Sequence, residues 1–443
     1  MEKTLDFVKT IRENSLASLE YDERKGFIVV NEDIKYITIF IIGILILASS
    51  FLFNTPYEIY LGLRKIIVEP SILVTDYFVV GNVGAAIFNA GLLMLIATTI
   101  SYVNKINMNG PIMAAIFTIA GFSFFGKNMF NIWPVIFGVY AYSVFHKESF
   151  SKYLLIAFFG TALGPLVSQV AFGLDLPIYL SITLGIILGI SAGFILPSLA
   201  NHFVSFHQGF NLYNIGFTCG IVGMLFMSVL RAFNLNNPST LIVASGYNEI
   251  LTIYLFTLFS ILFFVGLYFS YDTKKELLHV FNQPGRLVSD FVSSDGFSAS
   301  LINMALLGFI TTGYVLLVGG ELSGPILGGV FTVVGFGAFG KHVKNIFPVI
   351  LGVYLATLLQ IWTPESTGAL LAALFGTTLA PIAGYYGFKY GVIAGFVHMA
   401  VVMNVGYLHG GMNLYNNGLA GGFVAAILVP IFDSIRRNIK VGG

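Results

Sequence analysis

GPIMAAIFTIAGFSFFGKNMFNIWPVIFGVY, residues 110 to 140, is written again at 324 to 354 as GPILGGVFTVVGFGAFGKHVKNIFPVILGVY, without a gap and with 18 of 31 positions identical. Self-similarity of that length marks an internal duplication. Outward from it the match continues: VTDYF at 74 to 78 answers VSDFV at 288 to 292, and Asn89 answers Asn303. FGTALGP at 159 to 165 answers FGTTLAP at 375 to 381, and HQGFNLYNIG at 207 to 216 answers HGGMNLYNNG at 409 to 418. The repeat units therefore run over about 74 to 233 and 288 to 434.

The composition decides the medium. Of 443 residues, 56% are hydrophobic and 10% charged, too few charges to cover a soluble surface of this size. Apolar stretches of about 18 to 25 residues recur from Tyr36 to Pro430, each long enough for a helix across a hydrocarbon core of roughly 30 Å. The short alternating segments of a membrane β-barrel are missing, so the expected fold is an all-α polytopic membrane protein. Cys219 is the single cysteine, which excludes an internal disulfide and a cysteine-based zinc site. The net charge of +1 says nothing about nucleic acid, and no basic stripe interleaved with aromatics suggests such a partner, so none is expected.

Each unit reads as six apolar segments. An extra helix at 36 to 54 precedes the first unit, a linker helix at 249 to 271 separates the two, and a charged linker follows at 272 to 287. Residues 1 to 35, with Lys and Arg mixed among acids, read as a cytoplasmic N-terminal extension rather than a signal peptide. The total is fourteen membrane segments. Lys and Arg favour cytoplasmic loops, and with the N-terminus inside, HKESFSK, DTKKELLHVFNQPGR and the terminal RRNIK all fall inside. The single linker helix then starts the second unit on the opposite side from the first, so the repeats are expected to be inverted, with both termini cytoplasmic.

Inverted repeats are the common build of secondary transporters, and polar groups repeated within such a bundle mark the expected route. Two clusters qualify. GKNMFNIWP at 126 to 134 and GKHVKNIFP at 340 to 348 follow a segment of only sixteen residues, 111 to 126, which reaches about 24 Å as a helix. A broken or half-spanning pair is expected there, with Lys127 and Lys341 at the break, Asn131 and Asn345 as caps, and Pro134 and Pro348 in the first turn. A lysine beside a helix N-terminus attracts an anion; the plainer account is a lysine snorkelling to the headgroups.

The second cluster is the decapeptide: His207, Asn211, Tyr213 and Asn214, matched by His409, Asn413, Tyr415 and Asn416. Flanking glycines permit a helix break, and the amides and phenols supply donors and acceptors. The plainer account makes the asparagines N-caps, the tyrosines an interfacial belt and the histidines loop residues. Either the two motifs meet in one central site, or they sit on opposite faces as gates. Thr118 and Thr332 are weaker candidates, and Asp76 and Asp290, in V-[TS]-D, read as helix starts.

VTDYFVVGNVGAAIFNAGLL, GPIMAAIFTIAGFSFFGKNMFNIWP and FGTALGPLVSQ together resemble a bacterial domain-of-unknown-function family, numbered 1576, of polytopic membrane proteins. The resemblance covers most of the chain and implies a bacterial cell membrane, with no substrate to carry over. A fainter similarity, through NLYNNG at 413 to 418, is to urea transporters, which are also duplicated and inverted; their L-P-x-x-T-x-P-F stretch has no counterpart here. The expected function is a secondary transporter of a small polar or anionic solute or an ion. The alternatives are a passive channel for a small neutral solute and, behind it, a scaffold or intramembrane enzyme, for which HExxH, GxSxG and an intramembrane acid pair are all missing. No cofactor or metal is expected. Partners are the bilayer and the solute, and a homo-oligomer is compatible with the composition.

Overall fold

The computed structural model describes residues 20–22, 26–174, 176–237, 240–359 and 361–441. Residues 1–19 and 23–25 of the expected N-terminal extension lie outside the described residues. The extension's described part is a short antiparallel pair, Glu20–Asp22 with Phe27–Val29. Everything after it is helical or loop, apart from one isolated bridge between Thr75 and Ile242.

The first half consists of α1 (Glu32–Ser49), an amphipathic α2 (Pro56–Val68), α3 (Val83–Val103), α4 (Gly110–Phe122), α5 (Ile132–Phe145), an interrupted α6 (Phe150–Phe172), α7 (Ile178–Phe206) and α8 (Asn214–Ala232). The second half has the same order: α9 (Asn248–Phe269), an amphipathic α10 (Thr273–Asn282), α11 (Phe297–Leu317), α12 (Gly324–Gly335), α13 (Val343–Thr357), α14 (Thr367–Tyr386), α15 (Phe388–Val405) and α16 (Asn416–Val441). Among the described residues, ten helices are long and apolar enough to cross a membrane, and four apolar helices are shorter: α4, α5, α12 and α13. The chain is an all-α polytopic membrane protein. The N-terminal helix α1 packs on α3 as the linker helix α9 packs on α11, so the two helices left outside the repeated sequence occupy corresponding places.

The centre of the molecule is the pair α4 and α12. Every residue of both is buried, and they run antiparallel at close range. A Cβ added at Gly121 would lie 2.8 Å from the Gly328 carbonyl oxygen, and one at Gly335 would lie 2.7 Å from the Phe117 Cβ. Small residues let helix backbones approach this closely where lipid offers no hydrophobic drive. That accounts for Gly121 and Gly335, which answer each other in 110–140 and 324–354. The same device recurs further out: Gly138 meets Gly193 between α5 and α7, and Gly352 and Gly395 seat α13 against α15.

A helix of 13 residues reaches about 20 Å, short of the roughly 30 Å core, so the first-turn N–H groups of α4 and α12 need partners inside the protein. Each receives one from the other half. Asp290 Oδ1 accepts from the Gly110 N–H at 2.8 Å; Asp76 Oδ2 accepts from Gly324 N–H at 3.1 Å and from Ala244 N–H at 2.9 Å. Both aspartates also cap the single turns Tyr77–Val80 and Phe291–Ser294 of their own half, so the helix starts expected at V-[TS]-D are there, with a second helix capped across the molecule.

Candidate functional site

The two copies of the decapeptide break the chain between α7 and α8 and between α15 and α16. In each, the histidine holds the asparagine seven residues on: His207 Nε2 lies 2.9 Å from Asn214 Oδ1, and His409 Nε2 lies 3.0 Å from Asn416 Oδ1. The asparagine amides donate to the carbonyls of Ala200 and Val402 on the preceding helices, which leaves Oδ1 to accept and makes Nε2 the donor. Asn211 and Asn413 are not N-caps. Their Oδ1 atoms accept from the Tyr213 and Tyr415 N–H groups two residues on, at 3.2 and 3.1 Å, which is an Asx turn that carries the chain inward before the helix begins.

The turns deliver the two tyrosines to one place. The Tyr213 and Tyr415 rings are 5.0 Å apart, both fully buried, so they are not interfacial belt residues. Asn211 Nδ2 reaches across to the Gly418 carbonyl at 3.0 Å. Phe122, Phe336 and Phe375 complete an aromatic plug, with Phe122 4.6 Å from Tyr415 and Phe336 4.8 Å from Tyr213. Of the two arrangements the sequence leaves open, the motifs meet.

The lysine cluster belongs to the same place, crosswise. Lys341 Nζ donates to the Tyr213 hydroxyl at 2.5 Å and to Thr377 Oγ1 at 2.7 Å, so the lysine of the second half is held by the tyrosine of the first. Lys127 stands against the second motif: its Nζ is 5.0 Å from the Phe122 ring that packs on Tyr415, and a Cβ at Gly126 would lie 2.4 Å from Leu414. Neither lysine is exposed at all, so neither snorkels. The halves differ in satisfaction, however. Lys127 Nζ, the Tyr415 hydroxyl, Thr118 Oγ1 and Asn413 Nδ2 are buried without a hydrogen-bond partner.

The halves also differ by a single hydroxyl. Thr378 Oγ1 donates to Asn211 Oδ1 at 2.6 Å and accepts from the Tyr213 N–H at 2.9 Å, pinning the first motif. The matching residue is Ala162, which offers the second motif only its carbonyl, to Leu414 N–H at 3.0 Å. Thr377 and Thr378 were not among the residues singled out from the sequence. The signal was present in FGTTLAP against FGTALGP, where one repeat has a threonine that the other lacks.

Asn131 and Asn345 lie beside the lysines: Asn131 stands at the N-cap position of α5 without a side-chain capping bond, and Asn345, three residues after the His342 N-cap, forms a capping box at the start of α13. They turn back, accepting from the N–H groups of Asn128 and His342 and donating to the carbonyls of Gly126 and Gly340, and so hold the lysine loops closed. Pro134 sits in the first turn of α5; Pro348 is inside α13, because that helix begins three residues further back, at Val343, than the alignment on Asn345 implies. A backbone turn at Gly340, with φ of +98°, opens this earlier start.

Two cavities approach the plug from opposite ends of α8. One, of about 850 Å³, is walled by His409, Asn416, Arg231, Asn237 and Leu73, and a small cavity of about 110 Å³ shares part of this wall and continues to Phe125, Phe375 and Leu414. The other, of about 290 Å³, is walled by Asn214, Leu287, Phe336 and Phe339 and reaches both Tyr213 and Tyr415. Asn214 and Leu287 correspond in the repeat to Asn416 and Leu73, so the two cavities are counterparts.

Residues 55–232 and 270–434 match the model of the proteins of unknown function DUF1576, and the chain belongs to that family. No curated protein and no solved structure matches it.

Proposed function

We propose that the protein is a secondary transporter of a small polar or anionic solute, working by alternating access between two inverted halves. The observation that carries this reading is the pair of corresponding cavities at opposite ends of α8, each walled by one copy of the decapeptide, one reaching Tyr213 and Tyr415 of the aromatic plug and the other adjoined by a small cavity that reaches Phe375. Exchanging the conformations of two equivalent halves converts access from one side to access from the other. The unequal state of the halves, pinned around Tyr213 and unpaired around Tyr415, is what such an exchange requires of any single conformation. A passive channel needs a continuous path, and the packed rings of Phe122, Phe336, Tyr213 and Tyr415 interrupt it.

In this reading the face bearing 146–152 and 272–287 is cytoplasmic, since Lys and Arg gather there, and the membrane is a bacterial cell membrane. Lys127, Lys341, Tyr213 and Tyr415 contact the solute. His207, His409, Asn211, Asn413, Asn214, Asn416, Asn131 and Asn345 position the two broken segments. Purified protein in proteoliposomes is expected to show saturable, gradient-driven uptake that falls in Lys127→Ala and Lys341→Ala. Linear flux with no saturation would overturn alternating access, and unchanged uptake in both variants would remove the site.

A further inference from the structure

We infer that Lys127, Tyr415 and Thr118 form a binding site for a small monovalent inorganic anion of halide size. This deepens the transport reading and rests on it for the anion's passage, though not for its binding. An ammonium at zero exposure, a phenol hydroxyl and a threonine hydroxyl lie in one neighbourhood, and none has a hydrogen-bond partner. Thr118 Oγ1 comes near the Tyr415 hydroxyl without reaching hydrogen-bond geometry. Its counterpart Thr332 donates to the Gly328 carbonyl of its own helix at 2.8 Å, so Thr118 has forgone the bond that its position in α4 would ordinarily make.

Buried polar groups are almost always paired, and a buried charge without a partner is costly. An unpaired ammonium beside the Phe122 ring that packs on Tyr415, with two unpaired hydroxyls in the same neighbourhood, therefore points to an acceptor that comes from outside. It is not supplied by a carboxylate: the fully or nearly buried acids among the described residues are Asp76, Glu276 and Asp295. Asp76 accepts from three backbone N–H groups, Glu276 from Ser270 and Ser298, and Asp295 is engaged by His279 and Ser294. One ammonium balances one negative charge, which selects a monovalent ion. The size limit comes from the walls, since the Phe122, Phe159 and Tyr213 rings all lie within 6.4 Å of the Tyr415 ring. Two cavities come near the site: the 290 Å³ cavity touches Tyr415 itself, and the 110 Å³ cavity is walled by Phe125 and Leu414.

The Lys341 centre is the counterpart, with its ammonium engaged by Tyr213 and by Thr377, which answers Thr161 in the first repeat and not Thr118. It is the emptied form of the site, in which protein oxygens replace the anion.

The test is a thermal-unfolding series on the full chain in detergent, with sodium bromide or sodium nitrate against sodium gluconate at equal ionic strength. A ligand that favours the folded state raises its midpoint by mass action. The expected result is a rise of a few degrees in bromide and nitrate over gluconate, abolished in Lys127→Gln and reduced in Tyr415→Phe. A rise of equal size in Lys127→Gln, or none in the wild type, overturns the site. Should Lys127→Gln fail to fold, bromide anomalous scattering from wild-type crystals decides: a peak beside Lys127 supports the site, and its absence overturns it. Anion flux into liposomes separates the two readings. Bromide binding without flux leaves the site and removes transport, whereas saturable uptake of another solute without bromide binding does the reverse.

Discussion

Lys341 and Lys127 hold the same position in two copies of one sequence, yet one ammonium donates to Tyr213 and Thr377 and the other to nothing. Their loops are built alike, each closed by an asparagine five residues after a glycine carbonyl. What separates them lies on the partner side: Thr378 fixes the segment that presents Tyr213, and Ala162 leaves the segment that presents Tyr415 without a hydroxyl. Two copies of one motif thus differ in what holds them: a threonine hydroxyl fixes one, and an alanine stands beside the other.

The capping aspartates give the largest expected effect on stability. Asp76 is fully buried and accepts from Phe78, Ala244 and Gly324 N–H groups, whereas Asp290 is partly exposed and accepts from Gly110 and Ser293 N–H. Each N–H left unpaired in a buried site costs about 1–3 kcal/mol. Asp76→Ala is therefore expected to destabilise by about 3–5 kcal/mol and Asp290→Ala by about 1–2 kcal/mol, read as the difference in thermal midpoint between the two variants. Equal losses would show that the two caps are energetically alike and that the inequality is confined to the lysines.

At Lys127, stability and uptake are expected to move in opposite directions. Replacing a buried charge that has no partner with an apolar side chain of similar length is neutral or stabilising. Lys127→Met should raise the unfolding midpoint, while Lys341→Met, which gives up two hydrogen bonds, should raise it less or lower it. Both should cut uptake by roughly 10- to 100-fold, because a hydrogen bond to a charged group is worth about 1.5–3 kcal/mol. A Lys127→Met protein less stable than Lys341→Met would mean that Lys127 is the better satisfied of the two.

The class of fold and the half-length helices were readable because lipid restricts a chain to helices and because sixteen apolar residues cannot cross the core. The duplication was readable by inspection. Which lysine meets which tyrosine was not: Lys341 and Tyr213 are 128 residues apart, and nothing local couples them, so the two clusters stood as separate candidates. Asn211 and Asn413 look like caps because an asparagine before a helix usually is one; here the helix waits two more residues while the chain descends to the plug. The roles of Thr377 and Thr378 depend on the same long-range approach, and an alanine facing a threonine in aligned repeats carries meaning only once the segments that they touch are known.

That threonine supports the smallest and most specific prediction. Thr378→Ala removes both hydrogen bonds that pin Asn211 and Tyr213, and Ala162→Thr places a hydroxyl at the matching position, beside Asn413 Oδ1 and the Tyr415 N–H. Each change is worth about 1 kcal/mol, too little to unfold the protein but enough to shift an equilibrium between two conformations about fivefold. Cys219 is a native reporter of that equilibrium. It is the single cysteine, fully buried in α8 against the Gly160 carbonyl, and it lies close enough to Lys127 and Tyr415 to interact with both electrostatically. Thiol reagents reach it only when the plug loosens on the Tyr415 side, so Ala162→Thr should slow its modification and Thr378→Ala should change it in the opposite sense, with the double exchange returning the rate towards the wild type. Rates that shift in the same direction in both single variants would mean that the hydroxyl stabilises the packing generally and does not set which half is closed.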